Sequence, residues 1–322
     1  MKIATFAPTQ QSSQLATKYG YDEWIVSRFL RFVPDTEKML ARMQQQPQKY
    51  IRTNTLKITD RDLRARLESK GFELKETLVT NVFEVENKNA DFSIGATSEY
   101  MLGYYYIQDI TSCLAVEALD VMRDQIVLDM ASAPGGKTTL IAQKMKNTGS
   151  IIAVEPNPQR IKSLLFNITR SGIINTCIYE TVPAKLLELN IKFDRVLLDA
   201  PCSGEGVIAK DPTRRTSRFP SDIAICSIMQ RKLIEIALTL LKPGGLIVYS
   251  TCSFAPEENE DVVNSALDRF NIDVESLDYG EQGLTKFGVL RFDERLRYTK
   301  RFYPHIHNSL GFYIAKLRRN NR

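Results

Sequence analysis

Histidine, tryptophan and paired cysteines are what this sequence has least of: two histidines, one tryptophan and no C-x-x-C in 322 residues. The five cysteines, at 113, 177, 202, 226 and 252, are odd in number and scattered, which argues against a disulfide framework and a zinc knuckle and points to a reducing compartment. His305 and His307, in YPHIHNS, would share a face if that segment were extended and could then meet on a metal. With no third ligand in view they are expected to fill a turn or touch substrate, and no metal is expected. A run of eighteen apolar residues is also missing, and the opening MKIATFAPTQQSSQ lacks the charged start and apolar stretch of a secretory signal. A soluble cytoplasmic protein is expected, monomeric and with no membrane partner.

What is present is enough apolar residue, 43%, to bury a substantial core in one large or two ordinary domains. The net charge of +5 permits an anionic partner but is too small to identify one, so the position of the charges must decide.

From Asp22 to Met43 apolar residues recur at helical spacing, with Trp24, Ile25, Phe29, Val33 and Met39 on one broad face, which predicts a helical opening. KYIRTNTLKI reads as a strand, TDRDLRARLESKG as a helix with Thr59 as N-cap and Gly71 just past its end, and FELKETLVTNVFEVE as further strand. Together they form a β-α-β unit resembling a small ferredoxin-like module. After about residue 110 strand, glycine-bearing turn and helix alternate, with QIVLDM, SIIAVE, TCIYE, FDRVLLDA and GGLIVYST as the strands. That rhythm predicts a doubly wound α/β sheet, and short continuous apolar runs such as RVLLDA suit strands buried on both faces.

LDMASAPGGKTT, residues 128–139, places a strand, a small-residue turn with Gly135 and Gly136, and a helix start, so backbone can approach a ligand closely there. Ala131 to Thr138 also fits a loose P-loop, and RVLLDA mimics the strand that ends in a metal-binding acid, which keeps an ATPase in play. Against it, SIIAVE ends in Glu155, where a carboxylate accepts from the ribose hydroxyls of a nucleoside-bearing cofactor. Ala131 stands where the strict motif has glycine, and Pro134 removes an N–H from a loop that should cradle phosphates.

In an open α/β sheet ligands bind outside the carboxyl ends of the strands, so Cys202 in LLDAPCSGEG and Cys252 in YSTCSFAPEENE are expected over the same crevice as Gly135 and Glu155. Cys113, Cys177 and Cys226 are expected to be buried small hydrophobes. At this point LDMASAPGGKTT, LLDAPCSGEG, YSTCSFAPEENE and RFYPHIHNSLGFYIAKL, in that order, resemble the signatures of the Sun family of RNA cytosine-5 methyltransferases. RTNTLK at 52–57 and YYIQDITS at 105–112 match the family's N-terminal landmarks too, so the resemblance covers about residues 16–317.

The resemblance implies a Rossmann-like S-adenosylmethionine-dependent methyltransferase sheet preceded by a smaller α+β RNA-binding domain, divided as 1–108 and 109–322. Carbon 5 of cytosine is a poor nucleophile until a thiolate adds to carbon 6, so one cysteine attacks and a second group helps its release. By motif position Cys252 resembles the nucleophile and Cys202 the residue that assists elimination; a DNA-type arrangement would reverse the roles. The implied cofactor set is Ala131, Ser132, Ala133, Pro134, Gly135, Gly136, Lys137, Glu155, Arg160 and Asp199. Asp199 would also reach the cytosine edge, and Lys137 would favour a neighbouring thiolate. In YETVPAKL, Val182 stands where the family shows an acid near the adenine, with Glu180 as a substitute after a register shift.

Lys210, Arg214, Arg215 and Arg218 follow the first cysteine motif in a turn-rich segment suited to phosphate. RFDERLRYTKRFY adds a second basic cluster with aromatics for stacking, and Arg52 is expected to face RNA from the RTNTLK strand. The reading is an RNA cytosine-5 methyltransferase, with transfer RNA preferred to ribosomal RNA because the chain is compact. A P-loop ATPase and a non-catalytic RNA-binding assembly factor are the readings from other classes.

Overall fold

The structure, a computed structural model, describes residues 3–321. Internal contacts gather them into two compact units, one of residues 3–47, Ala200–Leu238 and 249–321, the other of Gln48–Asp199 and Thr239–Val248. Residues 3–47 therefore group with the C-terminal segments and not with 48–108. Among the described residues no helix is long and apolar enough to cross a membrane.

The first unit opens with three short helices, α1 (Gln10–Tyr19), α2 (Glu23–Phe29) and α3 (Thr36–Arg42). α1 lies outside the helical face read from residues 22–43. Its ends are nonetheless marked: Thr9 and Ser12 exchange side-chain and backbone hydrogen bonds, and Gly20 closes the helix at φ +70°. The expected opening is two helices because the chain turns at Pro34, whose ring cannot continue a helix. Ile25, Phe29, Val33 and Met39 still bury in one cluster, with Trp24 packed against it.

The second unit begins with β1 (Tyr50–Thr53), α4 (Asp60–Glu68), β2 (Phe72–Glu76) and β3 (Val82–Asn87), followed by the turn α5 (Ser98–Met101) and β4 (Tyr105–Ile107). The Thr59 hydroxyl accepts from the Asp62 N–H at 3.2 Å and starts α4 as predicted. The sheet order is β2-β3-β1-β4, antiparallel at each pairing. β1 and β2 thus run parallel with β3 between them, the split β-α-β arrangement of a ferredoxin-like module. Leu63 and Leu67 of α4 bury with Ile51, Leu74 and Phe83 of the sheet.

After α6 (Ile110–Ala118) come β5 (Ile126–Asp129), α7 (Gly136–Lys144), β6 (Ser150–Val154), α8 (Pro158–Ser171), β7 (Thr176–Tyr179), β8 (Phe193–Asp199) and β9, Leu241–Thr251, which leaves this unit after Val248. The strands lie in the order β9-β8-β5-β6-β7, and β5 pairs in parallel with β6 and β8, as β6 does with β7. Each apolar run read as a strand forms one. The strand order reverses between β5 and β8, which makes the carboxyl ends of those strands the place for a ligand.

The rest of the first unit holds α9 (Pro220–Leu240), which ends two residues beyond it, and α10 (Glu260–Leu267). The strand Phe312–Arg319 pairs antiparallel with Lys300–Phe302 along its first half and with Ile272–Glu275 along its second.

Candidate active site

The turn after β5 is built to bring backbone to a ligand. Gly135 stands at φ +105° and its N–H donates to the Ser132 carbonyl at 2.7 Å; a side chain at Gly136 would press on Tyr106 at 3.2 Å. Ser132 is pinned to β6, its N–H and hydroxyl both donating to the Val154 carbonyl at 3.0 Å. Asn167 and Arg160, from α8, hold the carbonyls of Pro134 at 2.9 Å and Ala133 at 2.6 Å. Thr138, which a P-loop would turn toward magnesium, instead donates to the buried Asp129 at 2.7 Å. Burial pushes the Asp129 carboxyl up to about 6.

Glu155 follows β6 and is 1% exposed. Its Oε1 accepts from the Asn157 N–H at 3.0 Å, while Oε2 lies 3.1 Å from Arg160 Nη1 in ionic contact but receives no hydrogen bond. A buried carboxylate oxygen without a donor, at the end of the second strand, fits the ribose hydroxyls of an adenosyl cofactor. Asp199, at the end of β8, accepts from Lys137 Nζ at 2.7 Å, and the same ammonium reaches Ser112 at 3.3 Å. Lys137 is therefore the partner of this acid, where the sequence reading had it beside a thiolate. Val182 and Glu180 are both exposed.

In the other unit the two strand-end cysteines meet: Cys202 Sγ and Cys252 Sγ are 3.2 Å apart, at hydrogen-bond distance. The contact with Cys252 and burial push the Cys202 thiol well above its ordinary value, and either sulfur can donate to the other. The loops that carry them are laced together. Gly206 donates its N–H to the Cys252 carbonyl at 2.8 Å and accepts from Gly311 at 3.0 Å, and a Cβ at Gly206 would lie 2.3 Å from the Gly311 oxygen. Neither glycine can be enlarged without parting the loops.

Sequence reasoning missed the residues that follow Cys252. Glu257, Glu258, Asn259 and Glu260 are consecutive, polar and completely buried. Glu257 pairs with Arg28 in two contacts, at 3.0 and 2.6 Å. Asn259 accepts from Thr251 at 2.6 Å and donates to the Ser253 carbonyl at 2.9 Å. Glu260 takes a bidentate contact from Arg301, whose Nε lies 2.6 Å from Oε1. The one signal in the sequence is that so acidic a run begins five residues after a strand-end cysteine.

Several expectations are corrected. Arg52 is 2% exposed and faces protein, with Nη1 on the Gly136 carbonyl and Nη2 on Thr139, each at 3.0 Å, so it braces α7 and not RNA. Arg301, in the second basic cluster, is buried on Glu260 and offers no surface charge. Cys177 is exposed, because β7 is the last strand of its sheet; Cys226 is half-buried and Cys113 buried, and burial pushes both thiols up to about 12. The two histidines lie on a helical turn, Pro304–His307, where His305 Nε2 contacts the Pro34 carbonyl at 2.8 Å and His307 Nδ1 accepts from the Tyr303 N–H at 3.0 Å. No group of three metal-binding side chains occurs among the described residues. Lys210 is exposed, but Arg214 and Arg218 are half-buried and both donate to the Ser203 carbonyl, at 2.9 and 3.0 Å; Arg215 reaches Met43 and lies over the Tyr21 ring.

The parallel order β8-β5-β6-β7, a glycine turn after the first strand and an acid after the second place the chain by class in the Rossmann-like fold of S-adenosylmethionine-dependent methyltransferases. Residues 116–318 match the family described as 16S rRNA methyltransferase RsmB/F, and residues 21–87 match its RsmF/B-like ferredoxin-like domain; the chain belongs to this family. It is 41% identical over 313 residues to a mouse 28S rRNA (cytosine-C(5))-methyltransferase, an alignment covering 95% of this chain and 40% of the relative. It is 36% identical over 297 residues to ribosomal RNA small subunit methyltransferase F of Aliivibrio fischeri, covering 88% of this chain and 60% of that one. The chain thus spans about half the length of these curated relatives. The crystal structure of a methyltransferase homologue from Pyrococcus horikoshii superimposes with a TM-score of 0.88 at 37% identity, over 97% of this chain and 99% of that one.

Proposed function

We propose that this chain methylates carbon 5 of cytosine in RNA, with S-adenosylmethionine as methyl donor, Cys252 as attacking thiolate and Cys202 as the residue that assists its release. The observation that carries the proposal is the 3.2 Å contact of two loop sulfurs, with the Cys202 thiol pushed above its ordinary value by that contact and by burial. Cys252 adds to carbon 6 and makes carbon 5 nucleophilic. The bound cofactor supplies an electrophilic methyl group. When carbon 5 loses its proton to solvent water, the ring double bond re-forms and the electron pair of the breaking carbon–sulfur bond returns to Cys252. Cys202, by hydrogen-bonding that sulfur, stabilises it as a leaving thiolate.

The turn from Ala131 to Lys137, with Glu155, Arg160 and Asp199, holds the cofactor in this reading. Lys210 and the outward edges of Arg214, Arg215 and Arg218 meet phosphate. Residues 1–108 serve RNA binding and 109–322 catalysis, and a thiol-dependent step suits the reducing cytoplasm. The RNA is ribosomal: the mouse and Aliivibrio relatives are named for ribosomal RNA, and the compactness that favoured transfer RNA finds no counterpart in those names. Labelled S-adenosylmethionine with separate ribosomal and transfer RNA transcripts, followed by bisulfite sequencing, tests this. Label at one ribosomal cytosine is expected. Label in transfer RNA alone would move the substrate, and label in neither would refute the activity.

A further inference from the structure

Ser203 follows Cys202, and Ser253 follows Cys252. Both serines end on one carboxylate. Glu258 Oε1 accepts from the Ser203 hydroxyl and, at 2.8 Å, from the Ser253 hydroxyl; Oε2 accepts from the Ser203 N–H at 2.9 Å and from Gln230 Nε2 at 2.9 Å. The two hydroxyls also lie 3.1 Å from each other, and Gln230 Nε2 reaches the Pro201 carbonyl at 2.8 Å, one residue before Cys202. Glu258 is held in turn by Tyr249, whose hydroxyl donates to its carbonyl at 2.5 Å.

Four donors on one carboxylate fill both lone pairs of both oxygens. A proton on Glu258 would turn one acceptor into a donor facing a donor, so the site is shaped for the anion. Burial pushes its carboxyl up, and the serine and glutamine donors pull it back. Leaving such a group buried is costly unless its geometry is used, and what it fixes here is the pair of residues next to the reacting sulfurs.

We propose that Glu258 is a positioning residue that, through Ser203 and Ser253, locks the two cysteine loops in register and, as a fixed negative charge, keeps the shared proton on the sulfur pair until substrate arrives. The proposal rests on the cysteine roles given above. Other charged and titratable groups face the same place. Glu205 and Glu257 add negative charge, the latter offset by Arg28, and Tyr249 is in electrostatic reach of Glu258, Cys202 and Arg231. Cys226 feels Glu258, Asp222 and Arg218, and Arg214 and Arg218 place positive charge on the Ser203 carbonyl. Glu258 bonds the residue next to each cysteine, Ser203 and Ser253.

The test is iodoacetamide alkylation of Cys202 and Cys252 against pH, without RNA or cofactor, read by peptide mass in the full chain, beside the methyl-transfer assay. In Glu258→Gln the apparent pKa of the reactive thiol should fall by ~1 unit or more, so that alkylation at neutral pH rises by about tenfold, while methyl transfer falls by at least about tenfold. A role confined to packing would loosen the fold without moving that pKa. Ser203→Ala with Ser253→Ala keeps the carboxylate but cuts both hydroxyls, and should lower kcat with little change in KM. Ser203→Thr with Ser253→Thr, which keeps the hydroxyls, should restore it. A folded Glu258→Gln protein whose alkylation profile superimposes on the parent would overturn the proposal. If that variant does not fold, full activity in the double alanine variant would overturn it equally. Absence of methyl transfer by the parent protein would count against the proposed activity alone, since alkylation needs no substrate.

Discussion

At the end of β6 a buried carboxylate, Glu155, keeps one oxygen without a hydrogen-bond donor; after β9 another, Glu258, has each oxygen filled twice. The first belongs to a turn whose own polar groups are tied down by Ser132, Asn167 and Arg160, so that the open acceptor is left for a ligand. The second belongs to loops where the carboxylate bonds protein alone, beside the two thiols of the proposed reaction. Under the proposed function one region binds and the other holds reacting atoms still, a difference that follows from where each places its unsatisfied chemistry.

Breaking the frame of the second region should have the largest effect on stability. Arg301→Ala strands Glu260, which is 0% exposed, and should cost about 3 to 5 kcal/mol in urea unfolding, since a lone charge is left buried. A loss below about 1 kcal/mol, the level of a surface pair, would mean that the acidic run is not a rigid frame.

Glu205 sharpens the same contrast through pH. Burial raises its carboxyl to about 7, with Glu257 and Glu258 adding repulsion and Arg28 opposing it. Because the folded value lies above the unfolded one, its contribution to stability is complete below about 4.5 and is lost as pH rises through 7. Glu205→Gln should therefore gain on the parent between those pH values, by about 3 kcal/mol at most. Parallel unfolding curves across that window would contradict the assignment.

In the binding region, Glu155→Ala should weaken S-adenosylmethionine by about 1 to 3 kcal/mol in calorimetry, the worth of one or two hydrogen bonds. Unchanged affinity would remove the strand-end acid from the cofactor site. The smallest effect is expected from Arg214→Ala with Arg215→Ala, which should weaken RNA binding and lower the salt slope by up to ~2 while leaving cofactor affinity intact. An unchanged slope would leave these arginines to the Ser203 carbonyl and the Tyr21 ring alone.

The binding region was the more legible of the two in the sequence. A glycine turn between an apolar strand and a helix, and an acid at the end of the next strand, are local patterns, and each forms where it was read. The ferredoxin-like module was legible for the same reason, down to Thr59 as the cap of α4. What was hidden depends on distant partners. Arg52 has the look of a surface base on a strand, yet it buries against Gly136 and Thr139, 84 and 87 residues away. The burial of Glu257 to Glu260 was hidden because nothing local reveals Arg28, Ser203 or Arg301, the partners that satisfy them. Cys177 was misplaced because burial on β7 depends on a neighbouring strand that an edge lacks. Thr9 with Ser12 and then Gly20 marked α1, but too few apolar residues stood between them to show a helical face.

The central claim is the asymmetry of the two sulfurs, and trapping decides it most directly. Cys202→Ala and Cys252→Ala proteins are incubated with substrate RNA and S-adenosylmethionine and run on denaturing gels. Cys202→Ala should attack, stall and give a slow-migrating covalent protein–RNA band, and Cys252→Ala should give neither band nor methyl transfer. A band from Cys252→Ala and none from Cys202→Ala would reverse the roles, and full activity in both variants would remove the cysteine pair from the mechanism.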